Sequence, residues 1–354
     1  MNEKILTVIV PSYNMEAYLP KCLGSLVCPQ ELMERLEVIV VNDGSKDRTS
    51  EIAHEFETKY PGTFKVIDKP NGNYGSCINA AIEVAAGRYI RILDADDSVD
   101  TDGFKRYLVT LSQEVGKGDL AADLVVTDYV SINSEDVIIK KHDYGIWSGC
   151  RFPLSDVSNK DVRFTIHSVT YKLANVKTLG YRQTEGVSYT DTEWIVEPMV
   201  NVESVFYLPI VVTRYLVGRA GQTTEDETFA KKFDQVRLIA ENMLGRYDMF
   251  LRRCKVNARD YYRRQMSGVL RMVYHVGLFG WEGYEVRIDL RAFDCAVSMH
   301  QDLSLEVSEY EITPKLLPAL KYVKCWRDQS FASHVTIGIY RMYVKVFTFF
   351  KKVC

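Results

Sequence analysis

The chain has 354 residues, 47% hydrophobic and 26% charged, the proportions of a folded globular protein and not of a disordered or collagen-like one. A formal net charge of −3 excludes a strongly basic nucleic-acid-binding domain. The charge is uneven: from Thr313 to Cys354 eight Lys/Arg face one acid, Asp328, giving +7 there and −10 elsewhere, as expected of a tail that meets an anionic surface. Eight cysteines show no C-x-x-C pair and no zinc spacing, so they read as free thiols in a reducing compartment. Met1-Asn2-Glu3-Lys4 runs straight into the first apolar stretch without an h-region, and the expected location is the cytoplasm.

Residues 5–10 and 38–41 are short β-branched runs, and between them Tyr18, Leu19, Cys22, Leu23 and Leu26 recur at helical spacing. Strand, helix, strand in about 40 residues is a βαβ unit, which implies a parallel sheet with right-handed crossovers. The pattern continues through a helix at 47–60, a strand at 64–67, a helix at 75–86 and a strand at 89–93. In such sheets ligands sit at the carboxyl ends of strands. Pro11-Ser12-Tyr13, Asp43, Asn71 and Asp94 all fall at those ends and are expected to converge on one crevice.

The fourth run, Tyr89-Ile90-Arg91-Ile92-Leu93, stops on Asp94, Asp96 and Asp97. Carboxylates this close raise one another's pKa unless a cation compensates, and hard oxygen ligands select Mg²⁺ or Mn²⁺. The plainer reading is an acidic loop capping the next helix at Asp100 and Asp102. Asp43-Gly44-Ser45 likewise suits a tight turn, and Asn71-Gly72-Asn73-Tyr74-Gly75 suits a polar turn that opens a helix and turns N–H groups toward phosphate.

Taken together, Val8-Ile9-Val10-Pro11-Ser12-Tyr13-Asn14-Met15-Glu16, Val38-Ile39-Val40-Val41-Asn42-Asp43-Gly44-Ser45, the Asn71–Asn79 block and Arg88–Asp97 resemble, in order and spacing, the nucleotide-sugar-binding half of the family 2 glycosyltransferases. The resemblance implies the GT-A fold, an α/β Rossmann-like mixed sheet with helices on both faces. It implies a nucleoside diphosphate sugar donor, with Pro11, Ser12, Tyr13, Glu16, Asp43, Asn71, Gly75, Asp94 and Arg219 at the donor. Asp96, with Asp94, is the expected metal ligand.

Farther along, a helix is expected from 102 to 114, broken at Gly116-Lys117-Gly118, then strands at 122–127 and 137–139. Residues 164–171 alternate and predict a strand, in which His167 is either a metal or phosphate contact or a satisfied interior histidine. Tyr189-Thr190-Asp191-Thr192-Glu193-Trp194 opens a helix, and Asp191 there is an ordinary N-terminal acid. In the family an acidic pair at this distance supplies the acceptor's general base; here the pair is Thr190-Asp191, which leaves Asp191 as the base and Glu193 as second choice. Residues 213–223 look like the segment that closes the catalytic domain. Arg219 suits diphosphate by its paired donors or, equally, a surface salt bridge.

Residues 232–275 read as helical and rich in arginine, with no nucleic-acid motif and no nucleic-acid partner expected. In the last stretch His334, Gly338, Arg341, Lys345, Thr348 and Lys352 form a narrow polar stripe opposite apolar residues, the pattern of an interfacial helix at 331–354; a helix packed on the protein, or a strand, are the alternatives. The expected organisation is a GT-A domain at 1–228, with a nucleotide half at 1–128 and an acceptor half at 129–228, and a mainly helical C-terminal extension at 229–354. The expected function is an inverting, metal-dependent transferase, most simply from a UDP-sugar to a hydroxyl of a glycan or lipid-linked acceptor in surface polysaccharide synthesis, peripheral on the inner face of the membrane. Rival readings are a sugar-1-phosphate nucleotidyltransferase, whose Gly-rich first turn is missing, and a non-catalytic nucleotide-sugar-binding scaffold.

Overall fold

A computed structural model describes residues 3–158, 162–219 and 225–353, with side chains described through 345. The chain forms two compact units, residues 1–220 with 253–261, and residues 221–252 with 262–354. The sequence places a boundary at 228; the compact units divide at 220/221.

The first unit is built on β1 (Leu6–Ser12), β2 (Leu36–Asn42), β3 (Phe64–Asp68), β4 (Tyr89–Ile92), β5 (Ser98–Val99), β6 (Leu124–Ile132), β7 (Ile138–His142), β8 (Arg151–Pro153), β9 (Val169–Lys172) and β10 (Ser204–Leu216). Their order is β3-β2-β1-β4-β9-β6-β10-β5, with β7 on β6 and β8 on β10. β3, β2, β1 and β4 run parallel, β9 is antiparallel to both β4 and β6, and β10 is parallel to β6. The sheet is therefore mixed.

Every residue of β1 and β2 is buried, as continuous β-branched runs require when both faces are covered. Val8, Val10, Val38 and Val40 share one face and pack with Leu19, Leu23, Ile52, Phe104 and Leu108. By strand alternation Ile9, Ile39 and Val41 face the other side, where the helix Asn73–Val84 lies against β1 and β2 with Ile78 and Ala81 buried. Each such side chain contributes roughly 1.5–3 kcal/mol. Helices thus cover both faces. The helix Thr101–Val115 begins where Asp100 accepts a hydrogen bond from the N–H of Gly103.

One element departs from its pattern. Alternation predicts a strand through 164–171, but residues 166–168 form a turn and β9 begins only at Val169. Ser168 donates to the Thr165 carbonyl through both its N–H (3.0 Å) and its hydroxyl (2.8 Å), a local closure that takes those groups from the sheet ladder. His167 is thereby set in a turn beside the strand ends. The expected strand at 122–127 runs on to Ile132, and the one at 137–139 lies at 138–142.

The named elements of the second unit are helices, which include Asp226–Lys231, Leu290–Ser298, Gln301–Glu309, Tyr322–Asp328 and Phe331–Val353, together with residues 233–252 of the helix Phe233–Arg253 and residues 262–279 of the helix Arg259–Phe279. The terminal segment is a helix, not a strand. Ile337 and Tyr340 are buried, and Arg341 donates to the Leu278 carbonyl (2.7 Å) while Lys345 pairs with Glu285 (2.8 Å). Phe331, Val335, Ile339 and Met342 form an exposed row beside these cations. Of the polar stripe, Thr348 and Lys352 lie outside the residues whose side chains are described. No described helix is long and apolar enough to cross a membrane.

Candidate active site

The crevice lies where β1, β2 and β4 end. Pro11 and Ser12 are buried at the tip of β1, whereas the Tyr13 ring is 46% exposed. Asn14, in the left-handed region at φ 53°, takes a hydrogen bond from Lys46 N–H (2.8 Å) and gives one from its own N–H to Ser45 Oγ (3.0 Å). Glu16 accepts from Arg48 N–H (2.9 Å), so its carboxylate clasps the loops after β1 and β2 together. Asp43 is nearly buried, and its Oδ1 accepts from Lys69 Nζ (2.7 Å) and Gly72 N–H (2.9 Å), while Asn71 Nδ2 donates to the Asp43 carbonyl (3.0 Å). Gly75 has a packing reason to be glycine: a Cβ there would stand 2.2 Å from the Thr184 carbonyl oxygen.

At the end of β4 the chain turns on itself, with Asp97 N–H donating to the Asp94 carbonyl (2.9 Å), and this gathers the carboxylates. Tyr74 donates its hydroxyl to Asp94 Oδ1 (2.7 Å), and Leu216 N–H donates to Asp97 Oδ1 (2.8 Å). Asp97 Oδ2 is buried, has no hydrogen-bond donor among the described residues and lies 3.4 Å from His167 Nδ1. Asp94, Asp97 and His167 each offer one ligand atom within 4.8 Å of the others. Burial first, then Asp97 and Asp96, push the Asp94 carboxyl up to about 7. Burial and Asp96 hold Asp97 well above the carboxylate range. Burial holds His167 below the ordinary histidine range, which favours the neutral imidazole a metal requires.

Asp96 sits differently. Its Oδ2 takes a hydrogen bond from Arg219 Nε (2.8 Å), and the Arg219 guanidinium lies 5.4 Å from the centre of the Tyr18 ring. Arg219 and Asp96 are thus brought together, and the cluster able to hold an ion contains Asp97 and His167 with Asp94. Asp191 is the first residue of the helix Asp191–Val196; burial raises its carboxyl, and it lies within electrostatic reach of His167. Glu193 is fully buried and accepts from Thr184 N–H (2.7 Å) and Thr184 Oγ1 (2.8 Å), which ties it to the fold. Ala220 to Thr223, at the end of the closing segment, fall outside the described residues.

Sequence reasoning missed two supports. Arg91 is 1% exposed in the middle of β4; its Nη2 donates to the His167 carbonyl (2.8 Å) and to Thr213 Oγ1 (3.0 Å), so it braces the turn that carries His167. A charge inside an otherwise apolar strand was the available signal. Tyr215 stacks on His167 with ring centres 4.2 Å apart, and nothing in the local pattern announces that pairing.

The residues fit a divalent cation. A half-buried carboxylate and a buried one, the latter with an oxygen lacking any donor among the described residues, lie beside a neutral imidazole, and hard oxygens with one nitrogen suit Mn²⁺ or Mg²⁺.

With this geometry in place, residues 7–168 match the model of glycosyl transferase family 2. This chain carries a family 2 glycosyltransferase domain. It is similar to uncharacterized glycosyltransferases of Mycoplasma pneumoniae (39% identical over 104 residues) and Mycoplasma genitalium (29% over 233); these matches cover 29% and 62% of this chain and 34% and 70% of those proteins. The chain thus spans about a third of the Mycoplasma pneumoniae relative. The crystal structure of Staphylococcus aureus TarS 1–349 in complex with UDP is 17% identical, with a TM-score of 0.56 over 84% of this chain and 80% of that one. At that identity the likeness speaks for the fold alone, and it agrees with the GT-A sheet of the family 2 domain.

Proposed function

We propose that the chain is an inverting, metal-dependent glycosyltransferase that moves a sugar from a nucleoside diphosphate donor to an acceptor hydroxyl. The observation that carries this reading is the convergence of Asp94, Asp97 and His167 near Asp191 at the strand ends of a family 2 domain. UDP is the favoured donor nucleotide, supported by the TarS complex with UDP. In this reading the exposed Tyr13 ring and Asp43 hold the base, Pro11 and Ser12 present backbone groups, and the helix opening at Asn73 faces phosphate. Held by Asp94 and Asp97 with His167, or by Asp96 once Arg219 leaves it, a bound Mn²⁺ or Mg²⁺ would neutralise charge on the departing diphosphate. Arg219 would then meet the diphosphate with its paired N–H donors. Asp191, desolvated and thus more basic than an exposed aspartate, takes the acceptor's proton as its oxygen attacks the anomeric carbon from the face opposite the leaving group. One displacement inverts configuration.

The test is a panel of nucleotide sugars, each with Mn²⁺ or EDTA, scored by release of free nucleoside diphosphate and by product stereochemistry. Transfer independent of EDTA, or retention of configuration, would overturn the mechanism.

A lipid-linked acceptor at the inner membrane face is supported by the terminal helix, where Phe331 (85% exposed) and Met342 (62%) head the apolar row beside Arg341 and Lys345. Deleting 331–354 would also uncover the residues packed against Ile337 and Tyr340, so the cleaner probe is Phe331→Ser with Met342→Ser. The parent should sediment with anionic vesicles at low salt and the double variant should not; equal sedimentation would remove the membrane role.

A further inference from the structure

A cleft of about 590 Å³ opens on the far side of Tyr129 from the carboxylates, between β7 and the segment 162–165. It adjoins the catalytic cluster through a stack of rings: His167 is 5.3 Å from Tyr129, and Tyr129 lies flat on His142 with centres 4.3 Å apart and planes 2° from parallel. Its wall is fixed to the turn that carries His167, because the Tyr144 hydroxyl meets Ser168 Oγ (2.6 Å) and lies 3.4 Å from Thr165 Oγ1. Tyr129, which lines the cleft, is thus one ring contact from His167.

The chemistry of the walls is cationic. Among the described residues, Lys140, Lys141 and Arg163 line the cleft with one acid, Asp143. Lys141 is held 3.1 Å from the fully buried Asp128, whose other oxygen accepts the Tyr207 hydroxyl (2.5 Å), so this ammonium is fixed in place at the wall. Lys140 is exposed, with no carboxylate at ion-pair distance among the described residues. Burial and Lys140 keep His142 below the ordinary histidine range, so it adds no charge near neutrality. A site for a neutral sugar would present open aromatic faces and acceptors for hydroxyls; here Tyr129 and His142 cover each other's faces, and the outward Lys140 ammonium suits oxyanions.

We propose that this cleft holds the acceptor, and that the acceptor carries oxyanions, phosphate or carboxylate, in the units next to the reacting hydroxyl. The inference rests on the transferase reading above and specifies its substrate class.

The test uses the full chain with saturating UDP and Mn²⁺, so that the donor site is filled, and measures binding of a fluorescent glycerol-phosphate hexamer, a glucuronate-containing hexasaccharide and a neutral glucan of equal length. One or both charged oligomers should bind, more weakly as salt rises, and Lys140→Glu should weaken that binding tenfold or more while UDP affinity and melting temperature stay at parental values. Lys140→Gln, which adds no acid, should give a smaller loss in the same direction. The charged oligomer that binds better names the oxyanion. Loss of binding to phosphatidylglycerol vesicles in Lys140→Glu, beside parental phosphatidylcholine behaviour, would identify a lipid as the source of the phosphate. Equal binding of the neutral glucan, or charged-oligomer binding unchanged in Lys140→Glu, overturns the proposal. Failure of the parent to bind UDP at all would instead sink the donor reading, and that arm is read separately.

Discussion

In the second unit Arg327 donates to Asp294 through Nε (2.9 Å) and Nη2 (2.6 Å), Tyr274 donates its hydroxyl to the same carboxylate, and Arg327 Nη1 caps the Ser304 carbonyl (3.0 Å). Charge meets opposite charge, and the network closes on itself. At the end of β4 in the first unit the arrangement is reversed: Asp94, half-buried, and Asp97, buried, lie side by side, their carboxyls are pushed up, and Asp97 Oδ2 has no donor among the described residues. The first cluster stabilises a fold and asks nothing of solvent. The second stores unfavourable charge that a bound cation would relieve.

That contrast can be broken at several points. The largest effect is expected at Asp191→Asn, with transfer lowered by roughly two to four orders of magnitude and UDP affinity near parental; near-parental turnover would move the base elsewhere. Arg327→Leu should destabilise by about 3 kcal/mol in urea melts, because it strands the Asp294 carboxylate, and unchanged melts would show that the closed network is not structural. Asp97→Asn should weaken Mn²⁺ binding, read by electron paramagnetic resonance, by roughly 10- to 100-fold, on the scale of lost support at metal sites. The same substitution should raise the melting temperature of the metal-free protein at pH 8 by removing repulsion. Asp96→Asn is the companion: if it costs more Mn²⁺ affinity than Asp97→Asn, then Asp96 displaces Arg219 and becomes the ligand.

A smaller effect concerns pH. The Asp94 carboxyl titrates near 7 in the folded chain against an ordinary value of 3.8. Between these values the unfolded chain has lost its proton while the folded one keeps it, so the metal-free protein loses stability as pH rises toward about 7. A metal must displace that proton, so Mn²⁺ affinity should fall by at least about tenfold per pH unit as pH drops below 7, as measured by Mn²⁺-induced thermal shift from pH 5.5 to 8. A pH-independent shift would remove Asp94 from the site. The smallest effect is expected at the exposed Glu227–Lys231 pair, where Lys231→Ala should leave the melt within error.

Much of the first unit was legible because its signals are local. Continuous apolar runs at β1 and β2 imply strands buried on both faces, the helical spacing between them implies crossovers, and polar residues after each run mark the strand ends. Asp94, Asp96 and Asp97 were visible as a group for the same reason. Which of them would pair with Arg219 and which would gather with His167 was not, since it depends on Arg219, distant in the chain, and on His167 arriving from a turn that alternation had predicted as strand. The terminal helix shows the same division: the stripe of His334, Arg341 and Lys345 was readable, but only packing of Ile337 and Tyr340 decided that Phe331, Val335, Ile339 and Met342 would remain outside.

By itself, then, the sequence determined the parallel βαβ half, the acidic end of β4 and the basic, amphipathic tail, because periodicity and charge spacing act over a few residues. Tertiary structure alone decided the antiparallel insertion of β9, the bracing of His167 by Arg91, the engagement of Asp96 by Arg219 and the cationic cleft beyond Tyr129. Each of those joins groups far apart in sequence, and such pairings are selected by burial and by satisfying buried polar atoms, which no local pattern encodes.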